Sequence, residues 1–259
     1  QYLPRGSKDP IPDGQVGSVL ALSDKMDTLA VALSLGVEVS GSQDPMGLRR
    51  AALGVVGILS GRGYDVDLDS LLEMPLELAS KAVLEPAENA REKLSAFLVS
   101  RIETGLLEKG YSPGIVRAVL GGKERRVPRI PFMAEALHSV SRTSELEDVV
   151  IGWRRTSVLG KASSSRQVSP ELLQEEAEED LYLIVNQQRE RADELFQGQQ
   201  YKDYLLLLAS LRRPIDECLD QVLIMAEDPS VKANRLALLG TVSDLFTGFA
   251  DFSHVLSLV

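Results

Sequence analysis

The 259-residue sequence predicts an all-α protein that ends in a helical bundle. Apolar residues recur at alternating steps of three and four along most of the chain, the signature of one helix face. Aromatic residues make up only 5%, while Leu, Ala, Glu and Arg are plentiful, a composition that favours helix. No stretch shows a convincing two-residue strand period, and no fixed-period repeat is evident.

The elements follow in order. Residues 4–14 hold Pro4, Pro10, Pro12 and two glycines and read as a loop. Val19, Leu22, Met26, Leu29 and Leu33 then form one apolar stripe, and Leu20, Asp24, Asp27 and Val31 form a second face. This helix is expected to be apolar on two sides, with its acids among apolar neighbours and Gly36 as its stop. In the next segment Asp44 is expected as N-cap and Pro45 at the first helical position. Leu48, Ala52, Val55 and Leu59 give its stripe and Gly61 its C-terminal cap. Gly54 and Gly57 inside it each cost up to about 1 kcal/mol relative to Ala, an expense that close approach of a neighbouring helix would offset.

Residues 67–83 and 86–109 read as further helices, the second ended by Gly110. Two short helices are expected at 113–120 and 130–140, flanked by the basic loop GGKERRVPR. The Ser-rich stretch KASSSRQVSPEL reads as a linker or hinge. Beyond it, Leu173, Ala177, Leu181 and Ile184 line one side of a long helix whose other side carries Glu175, Glu176, Glu178 and Glu179. Helices at about 200–212 and 214–227 come next, the latter starting at Pro214. The last long helix starts at Asp228-Pro229 and carries Leu238, Val242, Leu245 and Phe249.

With 44% hydrophobic and 25% charged residues, the composition is that of an ordinary soluble protein. The net charge of -10 excludes a generic polyanion binder. Any nucleic-acid contact must therefore come from local basic patches. The single cysteine, Cys218, rules out an intrachain disulfide and suits a reducing compartment; it reads as a small buried hydrophobe. No apolar run approaches the roughly 20 residues of a membrane span, and the N-terminus lacks a signal-peptide core. The chain reads as cytoplasmic and soluble, and as a piece of a longer protein.

Catalytic and metal motifs are missing: there is no HExxH, no CxxC and no Gly-rich phosphate loop. His138 and His254 lie far from Asp24 and Asp27 in sequence and read as surface or packing residues. Basic groups are better represented. Arg49 and Arg50 are adjacent on one helix, and Lys123, Arg125, Arg126 and Arg129 share a loop. Arg154 and Arg155 follow Trp153, and Arg212 and Arg213 precede Pro214. Lys232 and Arg235 lie within two turns of a helix N-terminus, where free N–H groups and the dipole favour anions. These are either a solvated charged face or a surface for a structured polyanion. RNA suits better than duplex DNA, because no recognition helix carries a basic comb.

Six stretches then carry a resemblance: YLPR with ALSDKMDTL, GSQDPMGLRRAALGVVGIL, FLVSRIETGLLEKGYSPGIVRAVL, WRRTSVLGKA, and RRPIDECLDQVLIMAEDPSVKANRLALLGTVSDLFTGFADFSHV. In this order they resemble the bacterial glycyl-tRNA synthetase β subunit, while residues 162–212 match in pattern more than in letters. The resemblance implies the C-terminal part of the larger subunit of a two-subunit ligase that joins glycine to its tRNA. Residues 1–64 would end a helical domain similar to HD phosphohydrolases and 65–150 would be a helical connector. Residues 151–259 would be an anticodon-binding bundle like that of arginyl-tRNA synthetase.

The partner α subunit would hold the aminoacylation site with its ATP and Mg, so no catalytic residue, cofactor or metal is expected in this chain. A hetero-oligomer with that subunit, glycine tRNA as ligand and no membrane are the implied associations. Asp24 falls at the last-ligand position of HD-type hydrolases and is expected to be vestigial; an HD-type metal-dependent phosphohydrolase fragment is the alternative. Arg49 and Arg50 would either pair with the buried acids or touch tRNA. In the bundle, Asn234 and Arg235 are expected to read the anticodon, with Lys232, Arg212 and Arg213 on phosphates and Arg154 and Arg155 as further tRNA contacts. At Cys218–Leu219 the chain departs from a Phe-Phe pair frequent in that family.

Overall fold

The computed structural model describes residues 3–4, 9–38, 44, 46–83, 87–163 and 165–258. These form two compact units, residues 1–110 with 125–131 and residues 111–124 with 132–259. The connector expected at 65–150 is thus divided between them. Among the described residues there is no β-strand, only an isolated bridge between Asp67 and Arg126.

The first unit is built from α1 (Gln15–Ser34), α2 (Leu48–Arg62), α3 (Leu68–Ala82) and α4 (Ala90–Glu108). Helix α1 packs against the other three, burying Ala21, Met26, Leu29, Ala30 and Leu33. Its acids do not behave as expected. Asp24 and Asp27 are exposed, and the buried charge is Lys25, which is only 7% exposed. The Lys25 stem lies over Gly54, where an added Cβ would fall 2.5 Å from Lys25 Cε. Burial pushes the Lys25 ammonium below its ordinary pKa, partly opposed by the charge of Asp24. Gly54 thus allows a close approach, but by a lysine stem. Gly57 does not: a Cβ there would meet nothing within 4 Å.

The start of α2 also differs from expectation. Its N-cap is Gly47, in the left-handed region at φ 70°. Asp44 still serves the helix end from outside, accepting from the Arg49 and Arg50 backbone N–H groups at 3.2 Å each; Pro45 lies outside the described residues. The helix ends at Gly63, φ 62°, two residues beyond Gly61, which instead packs against Ile11. Asp67 caps α3 by accepting from Ser70 N–H. Arg129, buried in this unit, donates to both Asp65 carboxylate oxygens at 2.7 and 2.6 Å.

The second unit holds α5 (Pro113–Leu120), most of α6 (Ile130–Ser139), α7 (Ser144–Lys161), α8 (Glu176–Gln197), α9 (Tyr201–Ser210), α10 (Arg212–Gln221) and α11 (Pro229–Phe249). A 3₁₀ segment, Phe252–Leu258, closes it. Asp228 caps α11, accepting from Ser230 and Val231 N–H. Leu238, Leu239, Val242, Phe246 and Phe249 of α11 are buried, so this helix is the axis of the bundle. Pro214 sits in the first turn of α10, which starts at Arg212 and stops at Gln221, short of 227.

Helix α7 was not legible as a helix, and its buried face explains why. Beside Leu146, Val149 and Val150, that face consists of Gly152, Thr156, Ser157 and Gly160. Small residues there let two backbones meet: a Cβ on Gly160 would lie 3.0 Å from Gly240 Cα, Leu239 O and Ser243 Cβ. Of the stretch 161–172, expected as a linker or hinge, Arg166 and Ser169 are bound to α11. Arg166 pairs with Asp244 at 2.8 Å and its carbonyl accepts from Thr241 Oγ1 at 3.3 Å.

Candidate nucleic-acid interface

The α11 residues expected to read RNA are turned into the bundle. Asn234, 5% exposed, accepts from Ser169 N–H at 2.7 Å and donates to Ser169 O at 3.0 Å, so its amide clamps Ser169 against α11. Arg235, also 5% exposed, donates to both Glu178 carboxylate oxygens at 2.8 and 2.7 Å and to Leu223 O at 3.0 Å. Glu178 Oε1 additionally accepts from the N–H groups of Gln174 and Glu175, a capping box that starts α8. Burial opposes the Glu178 charge, but Arg235 and these backbone donors outweigh it and hold its carboxyl below the ordinary value. The reason these two positions turn inward is that α11 is central: a polar residue on its buried arc must find partners inside.

Two more arginines are engaged, Arg155 between α7 and α10 and Arg212 within α10. Arg155 on α7 pairs with Asp216 and, at 2.5 Å, with Asp220 of α10; Arg212 pairs with the same Asp216. Arg213 is exposed and pairs with Glu217 one turn on, at 2.7 Å. In the other unit, Arg50 is exposed and pairs with Asp44 rather than with the α1 acids. Of the basic loop, Arg129 holds Asp65, Arg125 faces Asp69 at 4.0 Å and Lys123 faces Asp244 at 3.8 Å, so local acids offset most of its charge.

What remains open to a polyanion is smaller than expected. Arg154 is exposed and Lys232 half-buried, and neither has an ion-pair partner among the described residues. Val158 and Lys161 stand exposed on the Arg154 face of α7 at helical spacing, and 74% of Val158 faces solvent. Lys161 was missed from sequence; its signal was the seven-residue step from Arg154, visible only once α7 is known to be a helix. Near Asp24, the described residues contain no group of three or more His, Cys, Asp or Glu placed to hold a metal ion.

A helical bundle with basic side chains on its outer faces suits the class of helical tRNA-reading modules, and comparison agrees: residues 153–250 match the DALR anticodon binding domain. Residues 1–121 match the glycyl-tRNA synthetase beta subunit family. Relatives described as glycine–tRNA ligase beta subunits occur in Methylobacillus flagellatus and Psychromonas ingrahamii, each 34% identical over 257 residues, and in Trichlorobacter lovleyi, 30% identical over 254. Each alignment covers 98% of this chain but only 36–37% of the relative. The chain belongs to the glycyl-tRNA synthetase β-subunit family and corresponds to its C-terminal portion.

Proposed function

We propose that this chain is the tRNA-gripping portion of a glycine–tRNA ligase β subunit, with its second unit bound to the anticodon region of glycine tRNA. The observation that carries this is the coincidence of the anticodon-binding match, 153–250, with α7–α11 of one compact unit. In this reading a separate α subunit holds glycine, ATP and Mg and forms the ester, and the two subunits act in the cytoplasm as a hetero-oligomer. The chain itself supplies position, not chemistry. Arg154, Lys161 and Lys232 meet backbone phosphates, while Asn234, Arg235, Arg155 and Arg212 keep the bundle in shape. The relatives described as ligase subunits favour this reading over the phosphohydrolase alternative.

The test is tRNA binding across a salt series. Replacing Arg154 and Lys232 together with Ala should weaken affinity for a glycine tRNA transcript and flatten the plot of log K against log salt by about 0.7–0.9 per lost phosphate contact. An unchanged slope would place the RNA elsewhere.

A further inference from the structure

One aromatic side chain in the second unit has no structural reason to be where it is. Helix α6 turns Met133, Ala134 and Leu137 fully inward. Phe132 on the opposite side is 58% exposed, forgoing much of the stabilisation that burying such a ring contributes. It opens onto a cavity of about 400 Å³ lined by Glu135, Gln199, Gln200, Lys202 and Asp203, a volume inside the usual range of small-ligand pockets, about 300–1,000 Å³.

The chemistry around the ring narrows the occupant. Gln199, Gln200, Lys202 and Asp203 are all exposed, and they surround Phe132 with two amides, a cation and a carboxylate. Glu135 is engaged, accepting from the Tyr111 hydroxyl at 2.7 Å. A protein-docking patch would need several hundred Å² of contiguous apolar area, and the apolar surface in this cleft is far smaller. A lone open ring beside amide donors and acceptors and one ammonium is the arrangement that takes a single unstacked base: a face to stack on, groups for the base edge, and a charge for the adjoining phosphate.

We infer that Phe132 is the stacking platform of a nucleobase subsite, in which an unpaired base of bound RNA lies on the ring, Gln199, Gln200 and Asp203 meet its edge, and Lys202 meets its phosphate. This rests on the reading of the second unit as an RNA binder and extends it to residues outside 153–250, the span of the anticodon-binding match.

The experiment uses the full chain, Phe132→Ala and Phe132→Trp, and a fluorescently labelled glycine tRNA transcript over several salt concentrations. Phe132→Ala should weaken binding by about 5- to 150-fold, the alanine-substitution loss of one stacked base, with the salt slope unchanged. Phe132→Trp should retain binding, and both variants should melt with the wild type because the ring is exposed. If Phe132→Ala binds like wild type while the Arg154/Lys232 variant is weakened, the subsite is refuted and the RNA-binding reading stands. If wild type binds no tRNA, both fall. If Phe132→Ala changes the sedimentation of the protein alone, the ring serves a protein contact and the inference is overturned.

Discussion

Replacing Arg235 separates a structural role from an RNA-reading one more sharply than any other substitution here. Its guanidinium makes two bonds to Glu178, at 2.8 and 2.7 Å, with 5% and 0% of the two side chains exposed, and a third to Leu223 O. Arg235→Ala leaves a buried carboxylate without its counter-charge, which costs about 3–5 kcal/mol. The Gln174 and Glu175 N–H groups still solvate one Glu178 oxygen, which favours the lower end, about 3 kcal/mol. For a unit of this size that lowers Tm by on the order of 10 °C. Chemical denaturation followed by circular dichroism, on wild type, Arg235→Ala and the double variant Arg235→Met/Glu178→Leu, measures it. The double variant, with both charges gone, should recover most of the loss, since replacing a buried pair with apolar groups is often neutral or stabilising. Below the melting range, Arg235→Ala should bind tRNA with nearly wild-type affinity. A variant that is stable but cannot bind would refute the argument.

The same pair sets an acid sensitivity. Glu178 titrates in the folded state below its ordinary value of 4.5, so its stabilising contribution is complete above that value and is lost as pH falls through the folded pKa. The stability difference between wild type and Glu178→Gln should shrink as pH is lowered from 6 toward 3, and a constant difference would rule this out. Gly160→Ala should destabilise the bundle by about 1–3 kcal/mol, the range for overpacking a tight core, because three atoms of α11 stand 3.0 Å from the new Cβ; a urea midpoint equal to wild type would contradict the crossing. Cys218, buried and with its thiol pushed up to about 11 by that burial and by nearby Glu178, should resist alkylation at pH 7.5 until denaturant is added. Rapid modification of the folded protein would show that it is accessible.

Most helices were legible because their buried faces are apolar: α1, α4 and α11 announce themselves through Leu, Ile and Val at helical spacing, and Asp228-Pro229 marks a boundary that the structure keeps. Helix α7 was not legible, because its tight packing selects small residues: Gly160 meets the α11 backbone and Gly152 the Phe246 and Ile215 side chains, and with Thr156 they carry no hydrophobic period. The candidate site was read less well for a related reason. Asn234 and Arg235 look like RNA-facing groups in any local window, and only tertiary structure supplies Ser169 and Glu178, 65 and 57 residues away, to take them. The reverse happened at Asp24 and Lys25, adjacent in sequence, where the helix phase exposes the acid and buries the base. Phe132 was invisible as a site because a Phe in a short apolar helix reads as core until its neighbours are seen to fill the core without it.

The clamps that join the 161–178 stretch to α11 also set an order of events during synthesis. Glu178 leaves the ribosome 57 residues before Arg235. At about 5–20 residues per second, the nascent chain therefore waits some 3–11 s for the charge that permits this carboxylate to be buried. Ser169 waits longer still for Asn234, and Arg166 for Asp244, 78 residues on. Until those partners emerge, burying Glu178 is unfavourable, which defers closure of the bundle until α11 has been translated.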